Sequence, residues 1–185
     1  TYIDNIIGLF HHHQIKVIMV FDGADLPAKA VTETSRAERR AEALAKANKF
    51  FAEGKKKEAM TYYSQAVDIS PAMAAQLIAI LKVKKPEVQS IVAPYEADAQ
   101  LAFLSKTGKI DAVVGEDSDT IPFGVKEMIF KLDSKSGNFQ HLQLDHLFHN
   151  PIPSFDLTKF DQDMILVMCI TAGCDYLPSV KNVGI

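Results

Sequence analysis

Apolar residues recur along this chain at two different periods. Residues 2–13 place Ile3, Ile6, Ile7 and Phe10 at helical spacing, which predicts an amphipathic helix. The run Ile15-Lys16-Val17-Ile18-Met19-Val20-Phe21 is short, apolar and β-branched, and it ends at the turn signal Asp22-Gly23. It reads as a buried strand. Residues 33–67 are rich in Ala, Lys, Glu and Arg, with one Gly and no Pro, and predict two helices broken near Gly54. Another helix is expected over about 71–82, after the cap-like Ser70-Pro71. Ser90-Ile91-Val92-Ala93 reads as a strand, and Pro94 as the opening of a helix running to about Ser105 and stopping before Gly108. Ala112-Val113-Val114 is a further buried strand. Met128-Ile129-Phe130 and Phe139–Leu142 flank Ser136-Gly137-Asn138, the pattern of a hairpin. A last helix is expected over about 158–172, with a loop from Gly173. Strands alternating with helices predict an α/β fold with a parallel sheet. The charged helical stretch 28–85 is long for a single crossover and reads as an insertion rising above the sheet edge.

Acidic residues follow the strands. Asp22 follows the first; Glu96 and Asp98 follow the second, at a helix start; Asp117 and Asp119 follow the third. Ligands of open α/β sheets bind beyond the carboxyl ends of the strands, so three acidic clusters point to one place. Gathering carboxylates is costly unless cations neutralise them. Oxygen donors without His or Cys favour Mg²⁺, or Mn²⁺. Two such ions about 3.5–4 Å apart serve phosphodiester hydrolysis. If residues 117–119 are extended, Asp117 and Asp119 share a face. Glu96 and Asp98 do not share one in regular helix, and would act from its first turn or through water. The competing reading is plain: acids at helix starts are dipole partners, and acids after strands form turns.

Composition narrows the classes. The 185 residues are 48% hydrophobic and 23% charged, ordinary for a soluble globular domain. No run of eighteen apolar residues exists, so a membrane span is not expected. The chain opens at Thr1 without Met or a signal-peptide layout, which reads as an internal fragment. Its two cysteines, Cys169 and Cys174, lie in an apolar stretch and read as buried free thiols of a reducing compartment. The net charge of −3 hides an asymmetry: 13 Lys/Arg against 9 Asp/Glu in residues 1–85, and 7 against 14 in residues 86–185. A basic part joined to an acidic part suits an enzyme that grips phosphate and binds metal, although chance also produces it.

Four strings occur in order: Val20-Phe21-Asp22-Gly23, Ala93-Pro94-Tyr95-Glu96-Ala97-Asp98-Ala99-Gln100, Glu116-Asp117-Ser118-Asp119 and Gly173-Cys174-Asp175-Tyr176-Leu177-Pro178-Ser179. Together they resemble the internal nuclease region of the flap endonuclease (XPG/Rad2) superfamily of structure-specific nucleases, most closely its exonuclease branch. The resemblance spans essentially the whole chain. It implies a PIN-like α/β fold with a helical arch over about 28–85, two divalent ions, and 5′–3′ exonuclease and 5′-flap endonuclease activity on duplex DNA. By motif match it implies that Asp22, Glu96, Asp98, Asp117, Asp119 and Asp175 are metal-site carboxylates; Asp175 enters through the resemblance alone. It implies that Lys29 and Arg36 grip the scissile phosphate. Seven residues apart, these two would present to one side of a continuous helix. Arg39 and Arg40 read as DNA-backbone contacts or solvated charges, with Ser179 and Lys181 as further DNA contacts. Nuclear localisation and mismatch-repair partners, the latter through regions absent here, follow only from the resemblance.

Two departures qualify it. The family's region begins upstream with a strand, a further metal-binding Asp and DNA-wedging residues, none of which precedes Thr1. At about 173–185 the chain enters what resembles a helix–two-turn–helix motif, which holds duplex backbone with a monovalent ion such as K⁺, and it stops inside it. Weak or no nuclease activity is therefore expected of residues 1–185 alone. Two rivals are a catalytically dead nucleic-acid-binding relative and a protein-binding module, since residues 47–71 resemble one tetratricopeptide repeat. One repeat cannot bury its own face, and paired arch helices explain the segment better. His11-His12-His13 reads as a solvated or partly packed turn. His141, His146 and His149 have no acidic partner at a recognisable spacing.

Overall fold

Helix α1 (Tyr2–His12) buries Ile7, and its backbone leaves the helix through Ile15, whose N–H donates to Phe10 O. It feeds β1 (Ile18–Phe21), which pairs in parallel with β2 (Gln89–Val92), Val20 facing Ile91 in register. The computed structural model describes residues 2–149 and 156–181. Within them the chain forms two compact units, Asp25–Ile80 and the remainder.

The Asp25–Ile80 unit contains the 3₁₀ turn Pro27–Lys29, then α2 (Ala30–Ala52) and α3 (Lys56–Ala66), with α4 (Pro71–Lys84) starting in it. Helix α2 runs 23 residues because nothing in Ala30–Ala52 breaks it. Gly54 ends α2 and separates it from α3. At φ +76 it lets Gly54 N and Lys55 N close onto Phe51 O and Phe50 O, a left-handed helix stop that a residue with Cβ resists. Small residues then let the helices approach closely: Ala47 and Ala59 are fully buried and Ala43 nearly so. Phe50 stacks on Tyr62 with ring centroids 5.4 Å apart, and Tyr63 Oη donates to Asn48 Oδ1 at 2.8 Å. The segment that resembles a tetratricopeptide repeat is thus a helix pair whose apolar faces meet each other.

In the other unit, α5 (Ala97–Lys106) packs against β1 and against the 3₁₀ turn Ser118–Thr120. The main core lies beside it: Ala102, Val113, Val125 and Met128, surrounded by Leu101, Ile110, Ile121, Phe123, Phe130 and Leu142. Strand β3 (Val113–Val114) pairs in parallel with β4 (Glu127–Phe130), which pairs antiparallel with β5 (Gln140–Gln143). The expected α/β fold is present. Among the described residues its strands fall into two sheets, β1–β2 and β3–β4–β5; α5 contacts β1 of the first, and its Ala102 packs with Val113 and Met128 of the second. Helices α6 (Leu144–His149) and α7 (Gln162–Ala172) complete the order.

Some boundaries differ from expectation for identifiable reasons. Helix α5 starts at Ala97 rather than at Pro94, because Pro94 O and Tyr95 O accept from Ala24 N and Gly23 N. Helix α7 starts at Gln162, because the Asp161 carboxylate caps Met164 N at 2.8 Å. The short helix α6 was hidden by its length. His141 does have an acidic partner: its Nε2 lies 2.6 Å from Glu127 Oε2 across the hairpin, a pairing set by strand register rather than sequence spacing. His149 Nδ1 likewise lies 3.7 Å from Asp145 Oδ1, one helical turn away.

Candidate metal centre

Gly23 is where the two halves of the site meet. An atom at its Cβ position would lie 1.9 Å from Ala93 O and 2.8 Å from Pro94 O. Only glycine lets the end of β1 lie this close to the end of β2. There Gly23 N donates to Tyr95 O at 2.6 Å and Ala24 N to Pro94 O at 3.1 Å. This crossing carries Asp22 to the start of α5. The Asp22 carboxylate accepts from Ala97 N at 2.7 Å, satisfying one of the N–H groups that a helix start leaves unpaired. Glu96 occupies the N-cap position in extended conformation and makes no side-chain cap bond to its own helix; Asp98 sits in the first turn. The pair thus occupies the open first turn from which both acids were expected to act.

The Glu96 carboxylate instead accepts from Tyr176 Oη at 2.5 Å, across 80 positions of sequence. That bond brings the loop after α7, and with it Asp175, beside the start of α5. In that loop Cys174 and Leu177 exchange backbone hydrogen bonds of 2.9 and 3.2 Å, with Asp175 and Tyr176 between them. Val180 N donates to Thr171 O at 3.0 Å, tying the loop back to α7.

Asp117 is extended, but the chain turns directly after it, and Asp119 lies in a 3₁₀ turn. Asp117 caps the turn Ser118–Thr120, and its carboxylate accepts from Asp119 N at 2.9 Å. The shared-face argument for this pair therefore fails: the carboxylate of Asp117 competes for the backbone and bends the segment. Buried Thr120 holds the turn by donating to Asp117 O at 2.9 Å. Burial, then the negative charge of Asp119 and the neighbouring Cys174, push the Cys169 thiol above its ordinary range, so Asp119 is within electrostatic reach of α7. Neighbouring Glu116 has a structural task, accepting from Lys131 N at 2.8 Å.

The acids thus stand at the carboxyl ends of β1, β2 and β3, with Asp175 joined to them through Tyr176. Among the described residues, no three His, Cys, Asp or Glu side chains form a group ready to hold one ion. As donors, the six carboxylates supply only oxygen, which suits Mg²⁺ or Mn²⁺. Asp22 and Glu96 are already oriented by hydrogen bonds. In chemistry and in chain placement the set fits hard divalent cations.

Lys29, Arg36, Arg39 and Arg40 lie on the Asp25–Ile80 unit. Lys29 ends the 3₁₀ turn and precedes α2, with φ −96 and ψ 4, so the α-helix is not continuous from Lys29 to Arg36. Pro27 starts that turn, and Lys29 N donates to Leu26 O. Arg36 Nη1 pairs with Glu33 Oε1 at 3.1 Å, and Arg40 Nη1 with Asp68 Oδ1 at 3.3 Å. Arg39, Ser179 and Lys181 are exposed. Of the stretch resembling a helix–two-turn–helix, about 173–185, residues 182–185 lie outside the described residues. Among the described residues no single helix is long and apolar enough to cross a membrane.

Comparison with known proteins agrees with this arrangement. Residues 87–175, from just before β2 through Asp175, match the family described as the XPG I-region. Exonuclease 1 of Arabidopsis thaliana is 46% identical over 179 residues, covering 97% of this chain and 24% of its own length. Exodeoxyribonuclease 1 of Schizosaccharomyces pombe is 39% identical over 178 residues, covering 96% of this chain and 30% of its own. The chain therefore spans about a quarter of the length of these relatives. Among solved structures, flap endonuclease-1 from Methanococcus jannaschii superposes with a TM-score of 0.61 at 23% identity, covering 98% of this chain and 56% of that one. The catalytic core of Rad2 gives 0.63 at 18% identity, covering 97% and 47%. These two share the fold, a PIN-like α/β core. Sequence likeness along nearly the whole chain, a matching I-region and this common fold agree: the chain is similar to exonuclease 1 relatives across the XPG I-region and shares the fold of the flap endonuclease and Rad2 cores.

Proposed function

We propose that this chain is the nuclease core of a divalent-metal-dependent 5′–3′ exodeoxyribonuclease with 5′-flap endonuclease activity, acting on duplex DNA with 5′ ends, nicks or flaps in nuclear DNA repair. The observation that carries this reading is the clasp of Asp22, the start of α5 and the Tyr176 loop, which ties together three distant stretches of sequence that each carry acids. Asp22, Glu96, Asp98, Asp117, Asp119 and Asp175 would hold two Mg²⁺ ions, with Mn²⁺ an alternative. When bound, such ions activate water and offset charge on the phosphodiester. Hydrogen bonds from Ala97 N and Tyr176 Oη orient two of these carboxylates before DNA arrives. Lys29 and Arg36 supply positive charge for the scissile phosphate, for which Arg36 exchanges its partner Glu33 for DNA. Arg39, Arg40, Ser179 and Lys181 serve the DNA backbone, the last two near a stretch that would take K⁺. Mismatch-repair proteins would engage regions beyond this chain.

The test is cleavage of 5′-recessed and 5′-flap duplexes by this chain extended to the length of its relatives, because residues 1–185 alone are expected to cleave weakly or not at all. Products should appear from the 5′ side with Mg²⁺ and vanish with EDTA. Asp117→Ala should slow cleavage by at least about 100-fold. Cleavage indifferent to EDTA and to Asp117→Ala would refute the proposal. A second reading, a nucleic-acid-binding relative without chemistry, draws on the lack of a ready three-residue metal group among the described residues. Its outcome in the same assay is DNA binding without cleavage.

A further inference from the structure

The loop Cys174–Leu177 is held from two directions. Its base is closed by the backbone pairing of Cys174 with Leu177 and by Val180 N donating to Thr171 O. Its tip is held by Tyr176 Oη donating to Glu96 Oε2. Both residues are half-buried, so water competes only partly for this bond, and a phenol donating to a carboxylate is among the stronger protein hydrogen bonds. Glu96 stands at the N-cap position of α5 and makes no side-chain cap bond to it. Its carboxylate is turned from its own helix toward the loop. A carboxylate accepts at about four lone-pair sites, so one phenol does not exhaust it.

We infer that Tyr176 is a positioning residue for divalent ions: through Glu96 it fixes the distance between the start of α5 and Asp175, so that carboxylates from the two segments serve one centre. The inference rests on the metal reading above. Tyr176 neither ligates metal nor touches DNA in this role. It acts as the partners of metal-bound side chains do elsewhere, by restricting the ligand's orientation, and loss of such a partner weakens metal affinity about 10- to 100-fold.

The test compares the protein with Tyr176→Phe, Glu96→Gln, the double variant and Asp117→Ala. Mn²⁺ affinity is read by electron paramagnetic resonance, and amide hydrogen exchange is followed in the loop without metal. Tyr176→Phe should speed exchange at Cys174 and Leu177 and weaken Mn²⁺ binding about tenfold. In the Glu96→Gln background it should weaken Mn²⁺ binding by less than about twofold, because the two residues act as one unit. Raising Mg²⁺ about tenfold should restore the cleavage rate of Tyr176→Phe, with the KM for DNA unmoved. Unchanged exchange in Tyr176→Phe overturns the inference. So does faster exchange with unchanged Mn²⁺ affinity, which would make the bond a structural tie alone, provided Asp117→Ala still weakens binding. If the unaltered protein itself binds no Mn²⁺, the metal reading fails first, visibly in that arm, and the role of Tyr176 falls with it.

Discussion

Gly23→Ala should destabilise the protein by about 3 kcal/mol or more, the upper range for forcing atoms into a packed site. The new methyl group would lie 1.9 Å from Ala93 O and 2.8 Å from Pro94 O. Both are backbone atoms, so no side chain can swing away. The strands must part, and the bonds Gly23 N to Tyr95 O and Ala24 N to Pro94 O are lost. Gly8 is the control. Nothing lies within 4 Å of its Cβ position, and it sits inside α1. Gly8→Ala should therefore stabilise by about 0.5–1 kcal/mol. Urea unfolding reads both, as a fall and a rise in midpoint. A midpoint for Gly23→Ala matching the unaltered protein would mean that the strand ends do not cross as described.

Asp22 should separate charge from capping. Its carboxylate both caps Ala97 N and belongs to the proposed metal set. Asp22→Asn keeps an oxygen acceptor of the same shape and removes the charge. Asp22→Ala removes both. Asn should change stability by less than about 0.5 kcal/mol, while Ala costs about 1 kcal/mol, the usual worth of a lost helix cap. Both should lower Mg²⁺-dependent cleavage at least about 100-fold, because a neutral amide is a poor ligand for a hard cation. Full cleavage by Asp22→Asn would reduce Asp22 to a cap.

Much of the fold was legible in the sequence because local chemistry and tertiary structure agree. The Ala-rich charged stretch broken at Gly54 became α2 and α3, and the β-branched runs became β1, β2 and β3. What was not legible depends on partners distant in sequence. Pro94 is a good helix opener, yet Pro94 and Tyr95 stay outside α5 because their carbonyls serve Gly23 and Ala24. His141 found Glu127 only through the register of β4 and β5. Division of the strands between two sheets leaves no local mark, since each strand has the same apolar pattern in either arrangement.

The candidate site was legible as residue types and strand ends, less so as geometry. Asp22 and Glu96 stand where the strand-end argument put them. The expectation for Asp117 and Asp119 assumed extended backbone, whereas a carboxylate two residues before an amide bends the chain onto itself. Asp175 follows a helix rather than a strand, so no periodicity could reach it; its neighbour Tyr176 supplies the link to Glu96. Arg36 and Lys29 were placed on one helix face by spacing alone, which Pro27 and the 3₁₀ turn undo.

The central claim is that these scattered carboxylates act together on divalent ions. Calorimetric titration of Mn²⁺ into the protein, beside the double variant Asp117→Ala with Asp119→Ala, addresses it most directly. Saturable binding to the unaltered protein is expected, and its loss in the double variant, with both proteins equally folded. The same isotherm for both proteins would contradict it.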